Sequence, residues 1–206
     1  MNSDLTRRGF LGVAGVAAAG LAAGATPAGP VKILGISSSL RKGKTTAAGM
    51  QICLEAAKAV SPAIEIELVE LADYRIPAGP AAGIELEPGE RDDFPKLAEK
   101  LADPKVAAII VGSPAHFGKL SSSCKVFLER CTAFRKSGGL SNKVAGVLAV
   151  GACRNGGQEL TIQTVQAALL SYEMIVVGDS RPTGHRGATL VSTKDTIDDD
   201  EFGIST

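Results

Sequence analysis

The chain has 206 residues and a formal net charge of zero, because 22 lysines and arginines balance 22 aspartates and glutamates. It contains no tryptophan and only two tyrosines, and no segment concentrates its cations. This composition argues against a nucleic-acid-binding protein, which needs a basic face and aromatic side chains on which bases stack.

The first residues have the pattern of an export signal. Arg7 and Arg8 are followed by Phe10 and Leu11, and then by an Ala/Gly/Val/Leu run over residues 12–25. The run is shorter than the ~20 residues that cross a bilayer comfortably, so we expect a removable twin-arginine signal and no permanent membrane anchor. A disordered N-terminal tail is the alternative.

The chain is therefore predicted to divide into a signal peptide, residues 1–25, and one domain, residues 31–206. The expected location is the periplasm or another extracytoplasmic space. Twin-arginine export carries folded proteins, which favours a cofactor bound before export and counts against ATP turnover.

After the leader, apolar β-branched runs alternate with helical patterns, which is typical of a parallel sheet covered by helices on both faces. Strands are predicted over residues 31–36, 64–70, 106–112, 143–151 and 174–177. Helices are predicted over residues 45–60, 91–102, 120–134 and 158–172, and no further long helix pattern follows the last strand. The Pro/Gly-rich segment 74–89 is expected to be a surface loop near the functional site.

The junction between the first strand and the first helix is typical of a phosphate site. Residues 37–46, SSSLRKGKTT, combine hydroxyls with three cations at the point where unpaired backbone N–H groups begin a helix. A solvated, Ser/Thr-rich helix start is the alternative at this point.

Two ligand classes could use this loop. Residues 38–45, SSLRKGKT, match the nucleoside-triphosphate P-loop except at its first glycine, where this chain has Ser38. Ser38 would have to adopt a conformation that glycine reaches more easily. The strand over 106–112 is followed by Ser113 and Pro114 rather than by a magnesium-binding aspartate, so the P-loop interpretation is the weaker one.

A ligand at the carboxyl edge of a parallel sheet should also contact the loops after the third and fourth strands. Residues 112–120, GSPAHFGKL, offer a rigid turn, the planar side chains of His116 and Phe117, and a glycine that admits close backbone approach. Residues 151–159, GACRNGGQE, are small enough to leave room for a flat ligand.

Together, the three loops resemble those of the flavodoxin-like NAD(P)H-dependent FMN reductase family, in particular its branch of iron-sulfur flavoproteins and multimeric flavodoxins. The family's first loop has the pattern S-G-S-x-R-x-x-x-N-T, and residues 37–46 are similar to it. Its second loop, G-S-P-x-Y-x-G, is matched by residues 112–118, and its G-G-Q-E segment by residues 156–159. Residues 174–178, MIVVG, also resemble the family's fifth strand, and the resemblance spans residues 31–203.

The resemblance implies an α/β, flavodoxin-like fold: a doubly wound, five-stranded parallel sheet in the order 2-1-3-4-5 between two layers of helices. It implies FMN as the cofactor, NAD(P)H as a possible donor, a small-molecule or protein redox partner, and a homodimer or homotetramer. It places five residues on the FMN phosphate: Ser37, Ser39, Arg41, Thr45 and Thr46. It places nine along the ribityl chain and the isoalloxazine ring: Pro114, Ala115, His116, Phe117, Gly118, Gly151, Ala152, Arg154 and Gly157.

The chain departs from the family pattern at several positions. Ser38 stands where glycine is usual, Thr45 where asparagine is usual, and His116 where tyrosine is usual. The cysteine cluster that iron-sulfur flavoproteins carry after the second strand is absent from residues 74–89, so we expect no iron-sulfur cluster and no other metal.

No two of the chain's four cysteines have the C-x-x-C spacing that is typical of a metal or cluster site. Cys124 and Cys131 lie on one predicted helix, too far apart along its axis for a disulfide. Cys53 is expected to be a small core residue, and Cys153, in the third loop, is expected to be exposed.

Three functions stay open on the sequence alone. The first is an FMN-dependent NAD(P)H oxidoreductase that reduces a flavin, a quinone or a similar acceptor. The second is a flavodoxin-like electron carrier without reductase activity, and the third is a P-loop-like nucleotide-binding protein. In the first two, FMN carries the redox chemistry, so no side chain is predicted to be catalytic.

Overall fold

The computed structural model describes residues 29–181 and 183–206, and the predicted signal peptide lies outside them. The strands are β1 (Val31–Ser37), β2 (Ile64–Glu70), β3 (Val106–Pro114), β4 (Val144–Gly151), β5 (Ile175–Val176) and β6 (Ala188–Val191). The helices are α1 (Thr45–Val60), α2 (Phe94–Ala102), α3 (Ser122–Arg130), α4 (Gln158–Leu170) and α5 (Glu201–Ile204). Three short 3₁₀ turns cover Leu71–Asp73, Gly79–Ala82 and Cys131–Phe134.

The strands form a parallel sheet in the order β2-β1-β3-β4-β5, which confirms the predicted flavodoxin-like topology. Ser37 lies opposite Gly112, and Pro114 lies opposite Val150, so β1, β3 and β4 end at one edge. The near-continuous apolar runs of β3 and β4 suit central strands that are covered on both faces.

Two short strands, β5 and β6, share the fifth position of the sheet. β5 pairs with the first two residues of β4, and β6 pairs with its last four. The sequence predicts a single strand over residues 174–177 and misses β6. Residues 177–187, VGDSRPTGHRG, carry three glycines and a proline, and these residue types break the strand pattern.

The two faces of the sheet have different covers. α2, α3 and α4 pack on one face around Leu34, Ile36 and Phe127. α1 covers part of the other face with Met50 and Leu54. Beyond β6, the described chain adds only the four-residue α5.

Two glycines let α1 approach the sheet closely. A Cβ atom at Gly35 would lie 2.6 Å from Met50 Cγ, and one at Gly112 would lie 2.8 Å from Met50 Cε. Because the backbone is bare at these positions, the start of α1 is held directly above the ends of β1 and β3.

The long excursion between β2 and α2 is pinned by a buried ion pair. Arg130 Nη2 lies 2.6 Å from Asp92 Oδ2, Arg130 Nη1 donates to the Pro77 carbonyl, and the guanidinium stacks over the Phe94 ring. Hydrogen bonds from Arg130 help to hold the pKa of Asp92 below its usual value against the opposing effect of burial.

Within residues 29–181 and 183–206, no helix has the length and apolar character needed to cross a membrane.

Candidate functional site

Three loops meet at the carboxyl edge of the sheet. Loop 1 (residues 38–44) follows β1, loop 2 (residues 115–121) follows β3, and loop 3 (residues 152–157) follows β4. Since the three strands are neighbours in the sheet, the topology brings together the loops that the sequence predicts to share a ligand.

Loop 1 leads into a helix whose first amides are free. The backbone N–H groups of Thr45, Thr46 and Ala47 have no acceptor among the described residues, and the N-cap residue Lys44 provides no side-chain cap. A 16-residue helix also directs the positive end of its dipole to this point. These features fit an anion such as a phosphate group.

The hydroxyls of Ser37 and Ser39, both in the predicted phosphate site, differ in their hydrogen bonding. Ser37 Oγ is fully buried and has no hydrogen-bond partner in the described part of the chain. Because Gly35 faces α1, Ser37, two residues along the strand, faces it as well. Ser39 Oγ instead accepts a hydrogen bond from the Arg41 amide at 3.1 Å, which shapes the loop.

Ser38 ties loop 1 to the next strand and to α3. Its amide and its hydroxyl both donate to the Gly112 carbonyl, at 2.9 Å and 2.7 Å. Its carbonyl accepts hydrogen bonds from the hydroxyls of Ser121 and Ser123. Ser38 has no positive φ, so it does not need the backbone freedom of the glycine that is usual here.

The cations of loop 1 face carboxylates. Arg41 Nη1 lies 2.6 Å from Asp195 Oδ1, and Lys44 Nζ lies 3.9 Å from Asp195 Oδ2. The hydrogen bond from Arg41 lowers the pKa of the Asp195 carboxyl group. Lys42 pairs with Asp73 at 2.6 Å, and this hydrogen bond raises the pKa of the lysine.

Loop 2 contains a tight turn with an aromatic residue at its tip. His116 and Lys119 exchange backbone hydrogen bonds of 2.8 Å and 2.9 Å. Phe117 and Gly118, between them, have φ values of 52° and 72°. A left-handed phenylalanine is unusual, and its side chain is fully exposed.

Loop 3 touches loop 2 through bare backbone. Gly157 has a φ of 91°, and a Cβ atom there would lie 2.5 Å from Gly118 Cα. Gln158 braces the loop from within, since its Nε2 donates to the Cys153 carbonyl at 2.7 Å. A Cβ atom at Gly151 would collide with this side chain.

The remaining predicted ring contacts lie around this junction. Pro114 is half-buried at the end of β3, and the Ala115 amide donates to the Val150 carbonyl. Ala152 is exposed. The structure thus brings loops 2 and 3 together, while their contacts with a flavin stay predictions.

Arg154, predicted to border the flavin, is directed towards the C-terminal tail. Its Nη2 pairs with Asp200, its Nη1 donates to the Thr189 carbonyl at 2.9 Å, and the guanidinium stacks over the Phe202 ring. These contacts explain why Asp200 is buried although it lies in an acidic stretch of the tail, residues 198–201. The proximity of Asp195 to loop 1 was also missed, because no local pattern signals a contact over so long a sequence separation.

The cysteines match part of what the sequence predicts. Cys124 and Cys131 are buried, Cys153 is exposed, and none of the four forms a disulfide with another described residue. Burial raises the pKa of Cys53 and of Cys124 to about 11. Within the described ranges, no three His, Cys, Asp or Glu side chains are grouped as a metal site would require.

The residues at this edge fit FMN. Unpaired amides at the start of α1 and the unpartnered Ser37 hydroxyl are donors for a phosphate monoester. Loops 2 and 3 present small residues and a ring side chain, which suit a flat aromatic ligand.

The comparisons with known proteins agree with this interpretation. Residues 31–187 match the family model for NADPH-dependent FMN reductase. An iron-sulfur flavoprotein of Methanocaldococcus jannaschii is 38% identical over 184 residues, which cover 85% of this chain and 91% of the relative. An NAD(P)H dehydrogenase (quinone) of Trichlorobacter lovleyi is 41% identical over 80 residues, covering 39% of this chain and 38% of the relative.

A solved structure shows the same fold. The WrbA-like flavodoxin of Agrobacterium tumefaciens superposes with a TM-score of 0.56 at 18% identity, covering 85% of this chain and 91% of that one. The family match and the fold favour a flavin over a nucleoside triphosphate at loop 1. The chain therefore belongs to the NADPH-dependent FMN reductase family and is an FMN-dependent oxidoreductase.

Proposed function

We propose that this protein passes electrons from NAD(P)H, or from another donor, through bound FMN to a quinone, a flavin or a similar small acceptor. The observation that carries the proposal is that the free amides at the start of α1 and the glycine junction of loops 2 and 3 lie at the same edge of the sheet. The similarity to an NAD(P)H dehydrogenase (quinone) supports the choice of donor and acceptor.

The phosphate would be held at loop 1 and α1. Ser37, Thr45 and Thr46 supply hydroxyls, the first amides of α1 supply N–H groups, and Arg41 supplies charge. Ser38 sets the position of the loop through its hydrogen bonds to Gly112. These groups bind and orient, and none of them has to transfer a proton.

Loops 2 and 3 would border the ring. Bound FMN supplies the redox chemistry, accepting hydride and passing electrons on singly or in pairs. The bare backbone at Gly118 and Gly157 lets the two loops lie close together. The N–H groups of these two glycines have no acceptor among the described residues and could stabilise negative charge on a reduced ring. The side chains of His116 and Phe117 would stack on the ring or cover it.

A spectrum followed by reduction tests the proposal. The purified protein should show a flavin absorption band, and anaerobic NADH or NADPH should bleach it within seconds. A quinone or free flavin should then restore the band. Bleaching by dithionite but by neither nicotinamide would identify an electron carrier instead, and absence of bound or reconstitutable FMN would refute the proposal.

We further propose that the protein works without an iron-sulfur cluster, although its relative in M. jannaschii is named an iron-sulfur flavoprotein. No cysteine lies between β2 and α2, and Cys124 and Cys131 are buried under the sheet. Iron and acid-labile sulfide should therefore be absent from protein purified anaerobically with its flavin. Stoichiometric iron and sulfide would overturn this.

Export and assembly are also proposals. The paired Arg7 and Arg8 support twin-arginine export, and their replacement by lysines should keep a full-length fusion out of the periplasmic fraction.

The partly uncovered sheet face, where Ile33, Ala108 and Ile110 line an apolar groove, supports a homodimer or homotetramer. Light scattering of the flavin-loaded protein should give a mass of two or four chains.

A further inference from the structure

A turn in the C-terminal tail lies against loop 1. Thr193 and Thr196 exchange backbone hydrogen bonds of 2.8 Å and 3.0 Å. The two residues between them, Lys194 and Asp195, have φ values of 51° and 64°. Turns of this kind favour Asn-Gly, so a Lys-Asp pair in left-handed conformation is an outlier that calls for a functional explanation. We call residues 193–196 the tail turn.

The tail turn is firmly held on both sides. Before it, the Ser192 amide donates to the Gly151 carbonyl at 2.8 Å. After it, Ile197 is buried and packs in the cluster that contains Met50 of α1 and Leu148 of β4. The position of Asp195 near loop 1 is therefore set by the core and not by its ion pairs.

The Asp195 carboxylate faces two cations of loop 1. One oxygen lies 2.6 Å from Arg41 Nη1, and the other lies 3.9 Å from Lys44 Nζ. The third cation, Lys42, is paired with Asp73 and does not share this carboxylate. Asp195 thus supplies negative charge beside the uncapped start of α1, where the flavin phosphate is expected.

We propose that Asp195 is an internal counter-anion of the phosphate site, which the phosphate of FMN must displace from Arg41 and Lys44. This inference rests on the proposed function. A phosphate and a carboxylate repel each other when they share the same cations, so Asp195 weakens phosphate binding and favours FMN release. Without phosphate, it neutralises cations that would otherwise attract other anions.

Flavin titrations of the full-length apoprotein test this role. Asp195→Asn removes the charge while keeping a side chain that tolerates the left-handed conformation. Asp198→Asn is the matched control, because Asp198 is an exposed acid of the same tail and forms no ion pair within the described chain. FMN and riboflavin are titrated by quenching of flavin fluorescence, at low and at high salt.

Asp195→Asn should tighten FMN binding about three- to fivefold at low salt and leave riboflavin binding unchanged. The gain should shrink at about 0.5 M salt, and it should also shrink in an Arg41→Gln background, where Lys44 is the only cation of the pair that remains. Asp198→Asn should leave the Kd for FMN within the error of the wild-type value.

Weaker FMN binding in Asp195→Asn would overturn the inference, because it would mean that the carboxylate orients Arg41 for the phosphate. Equal effects of Asp195→Asn and Asp198→Asn would overturn it too. A wild-type protein that binds neither FMN nor riboflavin would instead refute the proposed function. Circular dichroism of both variants separates these outcomes from a loss of folding.

Discussion

Loop 1 with the start of α1, the phosphate end of the site, is held together differently from loops 2 and 3, the ring end. At the phosphate end, hydrogen bonds of polar residues define the shape of the loop. Ser38 donates to the Gly112 carbonyl and accepts hydrogen bonds from the hydroxyls of Ser121 and Ser123. At the ring end, the absence of side chains defines it, because Gly157 meets Gly118 backbone to backbone.

This difference determines what each end tolerates. A hydrogen-bonded loop can accept a new residue when the new side chain finds partners, as Ser38 does in place of the usual glycine. A junction of bare backbones cannot accept even one extra carbon unless a loop moves. We therefore expect substitutions at the ring end to alter the fold of the site, and those at the phosphate end to alter mainly affinity.

The largest effect is expected for Gly157→Ala. The new Cβ would lie 2.5 Å from Gly118 Cα, and the residue would keep a φ of 91°. Overpacking and strain together should lower the free energy of unfolding by about 3 kcal/mol, measured by chemical denaturation of the apoprotein. FMN binding should fall with it, because loops 2 and 3 must separate.

Gly83→Ala is the matched control for this variant. Gly83 also has a positive φ, 75°, but a Cβ atom there would have no neighbour within 4 Å. Its cost should be about 1 kcal/mol, from the backbone conformation alone. Equal losses in the two variants would mean that the contact between loops 2 and 3 contributes nothing.

A smaller effect on stability is expected from Cys124, whose thiol lies near Ser38 of loop 1 and Ser113 of β3. Burial raises the pKa of this thiol to about 11, against weaker lowering by Ser38 and Ser113. Between pH 9 and pH 11 the folded state then holds a proton that the unfolded state has lost. Cys124 alone should then lower the free energy of unfolding by about 2 kcal/mol over this range.

Chemical denaturation at pH 8, 9, 10 and 11 measures this slope. Cys124→Ala should make the slope shallower. Cys53 and Cys131, whose pKa values are also raised by burial, should retain the rest of it. Cys153→Ala, in exposed loop 3, should leave the slope unchanged. An unaltered slope in Cys124→Ala would exclude this thiol as its origin.

Much of this architecture could be predicted from the sequence. The apolar runs of β1 to β4 and the helical patterns between them predicted a parallel sheet with helices on both faces. The strand order came from the family resemblance, and this order brings the three loops to one edge of the sheet. The unpaired Ser37 hydroxyl and the free amides lie where the phosphate pattern predicted donors.

The C-terminal tail could not be predicted in this way. β6 has four residues and follows a segment rich in glycine, so its alternation is too short to identify. The contact between Arg41 and Asp195 depends on Ile197 finding its place in the core, and that is a property of the whole fold. The ion pair between Arg154 and Asp200 could not be predicted for the same reason, since Asp200 belongs to the tail.

At the phosphate end, Arg41→Gln should weaken FMN binding about tenfold and leave riboflavin binding unchanged. The guanidinium is half-exposed, so its loss should hardly change the free energy of unfolding. Isothermal titration of the apoprotein with both flavins measures the effect. Lys58→Gln, in the last turn of α1, is the control, and a parallel loss of riboflavin affinity in Arg41→Gln would place Arg41 at the ring instead.

The smallest effects are expected for two neighbouring serines, and they have opposite signs. Ser37→Ala removes a buried hydroxyl without a partner, so the apoprotein should become about 1 kcal/mol more stable while FMN binds about fivefold more weakly. Ser38→Ala removes the 2.7 Å hydrogen bond to Gly112, so the apoprotein should lose about 1 kcal/mol. Thermal unfolding with and without FMN measures both. Destabilisation of the apoprotein by Ser37→Ala would show that this hydroxyl has a structural role, and the phosphate end would then lose one of its proposed donors.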